Sequence, residues 1–76
     1  MPLAFLSEGE ECDIVEVRGG RGLVQHLFDM GFTPSTRVRV LKSNPPGPML
    51  VEIRDSRVAL GKGITIKIIV NRSDGR

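Results

Sequence analysis

The sequence predicts a small all-β barrel of about five short antiparallel strands, with one short α-helix after the first strand. Three observations lead to this prediction. Apolar residues alternate with polar ones along several short runs, as in strands with one buried face. Glycine and proline separate these runs at short intervals. Only one run has the apolar spacing of a helix, and closing the sheet into a barrel would remove exposed edges that favour aggregation.

The first predicted elements are a turn and a strand. Residues 7–10 form the turn, and residues 11–17 form the first strand. Glycines within residues 19–22 end this strand. Because Gly19 and Gly20 precede an apolar segment, we expect a tight strand-to-helix turn that requires positive φ.

The predicted helix begins at Leu23. Leu23, Leu27 and Met30 are separated by four and three residues, which places them on one face of an α-helix. Gly31 is expected to end the helix, because glycine adopts a left-handed conformation at little cost. The helix is expected to plug one open end of the barrel with Leu23, Leu27 and Phe28.

Four more strands are predicted in the second half of the chain. They are apolar or alternating runs between turns, at residues 36–41, 49–54, 58–60 and 64–70. The three prolines and one glycine of residues 43–48 predict a loop. In the last strand the side chains expected on one face are Ile64, Ile66, Ile68 and Val70. The whole chain, 1–76, is predicted to be one domain with its core at about residues 6–70 and a disordered tail at 71–76.

Composition limits the class of protein. The chain has 76 residues, of which 39% are apolar and 26% charged, as is usual for a globular domain. This length excludes a large α/β enzyme. Cys12 is the single cysteine, so no intramolecular disulfide can form, and the cytoplasm is the predicted compartment. No run approaches the length of a membrane span, so direct membrane insertion is not expected.

Catalytic and metal-binding patterns are weak. His26 precedes Asp29 by three residues, which places both on one side of the helix, but no nucleophile stands at a recognisable spacing. We therefore predict that the chain is not an enzyme. No zinc-ligand motif is present, so no cofactor is predicted, although weak surface binding of a transition metal is left open. Cys12 is expected to be a buried apolar residue.

The charge pattern has two interpretations. Residues 1–17 contain five acidic residues and no basic one, whereas residues 18–76 contain eleven basic and four acidic ones. Basic residues expected to be exposed keep a small nucleic-acid-binding barrel as an alternative; they are Arg37, Arg39, Arg54, Lys62 and Lys67. Single-strand binders combine such charge with aromatic stacking, and this chain has no Trp or Tyr, so nucleic acid is not expected. The split predicts instead that the two segments pair with each other or face a protein partner.

Several motifs together resemble one family. The motifs are Leu-Ser-Glu-Gly-Glu at residues 6–10, Ile-Val-Glu-Val at 14–17 before two glycines, Leu-Phe-Asp-Met-Gly-Phe-Thr-Pro at 27–34, and Val-Ala-Leu at 58–60. Their order and spacing between residues 6 and 70 resemble the ferrous iron transport protein A (FeoA) family. Two departures are present. Ser35 occupies a position where the family usually has glycine, and residues 61–65 replace a charged segment that contains an alanine.

The resemblance implies an SH3-like barrel in the bacterial cytoplasm with no catalysis of its own. Members of this family support FeoB, a ferrous iron permease with a cytosolic G-protein domain, by protein contact, which would recruit the chain to the inner face of the membrane. The same fold forms the C-terminal domain of iron- and manganese-dependent transcriptional repressors, so a stand-alone domain of that kind is a further alternative, and a weak homo-oligomer is left open. The residues expected to contact the partner are Arg21, Gln25, His26, Asp29, Phe32, Asn44 and Pro46.

Overall fold

The computed structural model describes residues 1–72, whose regular secondary structure is mainly β-strand. A single turn of 3-10 helix, Leu3–Phe5, precedes the strands. The remaining elements are β1 (Glu11–Val17), α1 (Arg21–Asp29), β2 (Arg37–Ser43), β3 (Met49–Ile53), β4 (Ser56–Leu60), α2 (Lys62–Thr65) and β5 (Ile68–Arg72). The predicted five strands, with a helix after the first, are confirmed.

The strands form one antiparallel sheet in the order β4-β3-β2-β1-β5. The pairing register shifts between Ile14 and Glu16 on β1, and between Val40 and Lys42 on β2. Such bulges bend a strand and increase its twist. They allow the sheet to curl around a core, and the bulge on β1 leaves Val15 exposed.

The core lies on the inner face of the curled sheet. Alternation along β2 and β3 is confirmed, because Val38, Val40 and Val51 have no exposed surface. Cys12 is also fully buried, as predicted. The full set of buried apolar residues is Leu3, Leu6, Cys12, Ile14, Leu27, Phe32, Val38, Val40, Met49, Val51, Ile53, Leu60, Ile68 and Val70.

The turn into α1 requires only one of its two glycines to have positive φ. Gly19 has φ +126, whereas Gly20 has φ −70 and is the extended N-cap of the helix. The helix therefore starts at Arg21, two residues earlier than predicted. Ser35, in the turn before β2, has φ 75, so this serine keeps the left-handed conformation that the glycine usual in the family adopts easily.

The end of α1 corrects the predicted plug of the barrel. Gly31, with φ +104, donates its N–H to the carbonyl of Phe28, and Phe32 donates to the carbonyl of Leu27, both at 2.9 Å. These two bonds form a Schellman motif, which turns Phe32 back onto Leu27. Leu27 and Phe32 are both buried in the core, whereas Phe28 is 37% exposed. The predicted plug of Leu23, Leu27 and Phe28 is wrong in its last member.

The predicted strand over residues 64–70 is wrong in its first half. Residues 62–65 form α2, and β5 begins only at Ile68. The chain must pass from β4 at one end of the sheet to β5 at the other, and a helical turn makes that connection. Ile64 and Ile68 are four residues apart and both contact the core, while Ile66 is 39% exposed. Isoleucines at every second position also contain pairs four residues apart, so the same run fits a helix as well as a strand.

The last strand extends into the predicted tail. Asn71 pairs with Asp13, and Arg72 pairs with Cys12, so β5 continues through Arg72. The Arg72 guanidinium also lies 2.7 Å from the Glu10 carboxylate. The prediction for residues 73–76 lies outside the described residues.

Candidate functional site

The exposed side of α1 carries four of the seven predicted contact residues. Arg21, Gln25 and Asp29 are spaced by four residues and form one polar stripe, with His26 beside it; all four are exposed. The Gln25 amide donates a hydrogen bond to the Asp29 carboxylate at 2.9 Å. We call Arg21, Gln25, His26 and Asp29 the helix face.

Phe28, and not Phe32 as predicted, is the exposed phenylalanine beside the helix face. Phe32 is fully buried, so its predicted contact with a partner is wrong. Phe28 lies three residues after Gln25 and seven after Arg21, which places it next to the polar stripe. An exposed aromatic ring beside polar groups is typical of interface residues. The sequence does distinguish these two phenylalanines, because Phe32 directly follows Gly31, the glycine that ends the helix, and a residue at this position commonly packs back on the helix.

An apolar groove runs between α1 and the end strand of the sheet. Its volume is about 250 Å³, and we call it the α1–β4 groove. The residues that line it include Leu23 and His26 of α1, Met30 directly after α1, Val58 and Ala59 of β4, and Ile64 of α2. His26 therefore belongs both to the helix face and to this groove.

A second groove lies beside the proline-rich loop. It has a volume of about 180 Å³, and we call it the loop groove. Pro46 lines it together with Phe5 and Lys62, whereas Asn44 is exposed but does not line it. Phe5, 64% exposed, was missed because it lies before the first periodic run of the sequence. Leu60 lines both grooves, so the helix face and the loop lie on either side of the β4–α2 junction.

Cross-strand ion pairs cover the outer face of the sheet. Arg37 Nε lies 3.1 Å from the Asp13 carboxylate, and Arg39 Nε lies 3.0 Å from that of Glu11. Together with the pair between Arg72 and Glu10, these contacts confirm that the acidic segment pairs with the basic one. The charges of Arg37 and Arg39 on the predicted basic face are therefore largely neutralised by acidic neighbours.

The ion pairs shift the pKa values of Glu11, Arg37 and Arg39. The hydrogen bond from Arg39 holds the pKa of Glu11 below its ordinary value. The carboxylate of Asp13 raises the pKa of Arg37, and that of Glu11 raises the pKa of Arg39. Each of these shifts favours the charged form of Glu11, Arg37 or Arg39, so the three groups are charged at neutral pH.

The thiol of Cys12 lies in the core of the protein. Burial raises the pKa of the Cys12 thiol to about 11, which keeps it protonated. In the described part of the chain, no group of three His, Cys, Asp or Glu residues is arranged to hold a metal ion. Neither helix in this part is long and apolar enough to cross a bilayer. What these residues do present is a helix face flanked by grooves.

Known proteins match the chain over nearly its whole length. The family model described as the FeoA domain matches residues 1–72. The Fe(2+) transport protein A of Methanocaldococcus jannaschii is 34% identical over 73 residues, which cover 96% of this chain and 88% of that protein. The crystal structure of an iron uptake regulatory protein, FeoA, has a TM-score of 0.90 at 33% identity and covers 96% of this chain and 97% of that one.

Two more distant structures show the fold alone. FeoA of Stenotrophomonas maltophilia, complexed with zinc and described as a procaryotic SH3 domain protein, has a TM-score of 0.83 at 22% identity, covering 93% of this chain and 89% of that one. A manganese-dependent transcriptional repressor has a TM-score of 0.87 at 20% identity over 95% of this chain and 40% of the repressor. The expected SH3-like fold is confirmed. With its family model matched over residues 1–72 and a relative one-third identical, the chain belongs to the FeoA family.

Proposed function

We propose that the chain is a cytoplasmic accessory protein of ferrous iron uptake that binds the cytosolic part of a FeoB-type permease. Membership of the FeoA family over residues 1–72 is the observation that carries this proposal. The relative from Methanocaldococcus jannaschii bears the name of an Fe(2+) transport protein. The protein from Stenotrophomonas maltophilia is described as a candidate activating factor of ferrous iron transport. The proposed role requires no reaction, cofactor or metal on the chain itself.

The helix face and its neighbours are the surface that we assign to this contact. Phe28 supplies an exposed aromatic ring, and Gln25, His26 and Asp29 supply polar groups around it. Interfaces combine an aromatic or apolar centre with a polar rim in this way. The segment at residues 61–65, which departs from the family pattern, forms α2 between the two grooves.

Nucleic-acid binding fits the charge arrangement less well. A phosphate binder needs cations that are free to release counterions. Arg37 and Arg39, two of the five basic residues behind that alternative, are each paired with a carboxylate of β1. The likeness to the repressor extends only to the fold, so it adds no argument for regulation of transcription.

Isothermal titration of the full chain against the purified cytosolic part of the permease tests the proposal. We expect binding, and we expect Gln25→Ala and Asp29→Asn each to weaken it about fivefold or more, as substitutions near an interface centre do. Because both residues are exposed, and their mutual bond on the helix contributes only about 0.2–0.5 kcal/mol, the melting temperature should change little.

Asp13→Asn is the matched control. It also removes one exposed carboxylate that accepts a hydrogen bond, but Asp13 lies on the outer face of the sheet. We expect this variant to bind the permease as the unaltered chain does. Absence of binding at high micromolar concentration would refute the proposed function. Equal weakening by Asp13→Asn and Asp29→Asn would refute the assignment of the surface.

A further inference from the structure

The strand β4 lies at one end of the sheet and has an open edge. It pairs with β3 on one side, and within residues 1–72 no strand pairs with it on the other. Arg54 and Asp55, the two residues that connect β3 and β4, both have positive φ, as in a type I′ hairpin. In such a hairpin the flanking residues, Ile53 and Ser56, exchange backbone hydrogen bonds.

The hairpin register determines which backbone groups face outward. Hydrogen-bonded pairs alternate along an antiparallel ladder, so Ser56, Val58 and Leu60 bond to β3. The N–H and C=O groups of Arg57 and Ala59 then point away from the sheet. These groups make no other backbone hydrogen bond in the described part of the chain. The edge therefore offers two residues whose donors and acceptors can pair with an added strand.

The charges across the sheet alternate in sign up to this edge. Glu11 pairs in register with Arg39, Arg39 with Glu52, and Glu52 with Arg57. Residues directly opposite each other project from the same face, where unlike charges attract and like charges repel. The row ends on a positive charge at Arg57, which is exposed. A strand added beyond β4 would continue the alternation with an acidic residue.

The α1–β4 groove lies beside the same strand on its inner side. Val58 and Ala59 line it together with Leu23 of α1 and Met30, the residue after α1. Successive side chains of a strand point to opposite faces. An added strand would therefore place its acidic residues near Arg57 and its alternate residues, if apolar, towards this groove.

We propose that β4 accepts an extended segment of the partner protein, with acidic and apolar residues in alternation, as a sixth strand of the sheet. This inference rests on the proposed function for the identity of the partner. Recognition by strand addition uses backbone hydrogen bonds for affinity and alternate side-chain contacts for specificity. A second copy of the chain fits less well, since antiparallel pairing of two β4 strands centred on Val58 brings the two Arg57 side chains into diagonal contact.

Amide hydrogen exchange of the full chain, followed by NMR, tests the proposal with defined probes. The first probe is a capped six-residue peptide of alternating glutamate and valine, and the second has lysine in place of glutamate. We expect the glutamate peptide to slow exchange at the amides of Arg57 and Ala59, and to bind about fivefold more tightly than the lysine peptide.

Two variants examine the edge itself. Arg57→Glu should reverse the preference between the two peptides. Ala59→Pro removes an outward N–H without breaking a bond to β3, so it should abolish binding, whereas the control Ala59→Val should not. If circular dichroism shows that Ala59→Pro does not fold, the effect of Arg57→Glu on the preference between the two peptides still tests the proposal.

Several outcomes would overturn the proposal. The first is equal affinity for both peptides, and the second is protection from exchange that is confined to other amides. The third is protection of the β4 edge that rises with protein concentration alone, which would identify a second copy as the occupant. If the permease binds the chain but Arg57→Glu and Ala59→Pro bind it equally well, the proposed function stands and this inference fails. If the peptides bind as expected but the permease does not, the function fails and the edge site stands.

Discussion

Substitution by alanine should lower the free energy of unfolding much more at Phe32 than at Phe28, although the two residues are only four positions apart. Phe32 has no exposed surface, and replacing a core phenylalanine by alanine costs about 3–5 kcal/mol because it also leaves a cavity. Phe28 is 37% exposed, and water can fill the space that its ring leaves. The substitution then loses only the hydrophobic transfer free energy of a partly buried ring, which is about 1–2 kcal/mol. A domain of this length has only about 4–11 kcal/mol of total stability.

Equilibrium unfolding in urea measures both costs. Far-UV circular dichroism is the suitable signal, because the chain contains no Trp or Tyr for fluorescence. We expect Phe28→Ala to have a modestly lower midpoint and Phe32→Ala a much lower one, with about 3–5 kcal/mol lost from its free energy of unfolding. If Phe32→Ala does not fold at all, the pair Phe32→Leu and Phe28→Leu should show the same order of costs. A cost for Phe32 no larger than that for Phe28 would refute the Schellman arrangement and the assignment of Phe28 to the surface.

Three further predictions concern the core, the ion pairs and the helix end. Iodoacetamide should modify Cys12 about a hundredfold more slowly in the native chain than in urea at pH 8, because the native thiol is buried and has a pKa of about 11; equal rates would contradict its burial. Folding lowers the pKa of Glu11, so the stability that this carboxylate contributes is complete above its unfolded pKa and is lost as the pH falls below about 4. Glu11→Gln should therefore make the free energy of unfolding fall less steeply as the pH is lowered. An unchanged dependence on pH would contradict this. Gly31→Ala should cost about 1–2 kcal/mol at φ +104, whereas Gly22→Ala, in open space on α1, should not destabilise; similar effects on the unfolding midpoint would contradict the helix-end geometry.

Alternation identified the strands where one face is buried and the other charged. In β2 the valines at 38 and 40 enter the core while Arg37 and Arg39 face outward, which is the simplest form of the pattern. The same rule failed for Ile64 and Ile66, because the path of the chain between the ends of the sheet required a helical turn there. That requirement depends on which strands are neighbours, and no local pattern contains this information.

The helix face was predictable, but the grooves beside it were not. Polar residues at helical spacing indicated Gln25 and Asp29 from the sequence alone. Each groove is formed by segments far apart in the chain; Phe5, for example, lies beside Pro46 only because the N-terminal turn packs against α2. Phe32 shows the reverse case, because Gly31 already indicated a helix end, and the residue after such a glycine commonly packs back on the helix.

Titration of the isotopically labelled full chain with the cytosolic part of the proposed permease partner, followed by NMR, tests most directly the proposal that this chain works by protein contact. We expect shifts at the amides of Gln25, His26 and Asp29 and along β4, with little change at Asp13 and Arg37 on the outer face of the sheet. No shift at high micromolar permease, or shifts confined to that outer face, would contradict the account.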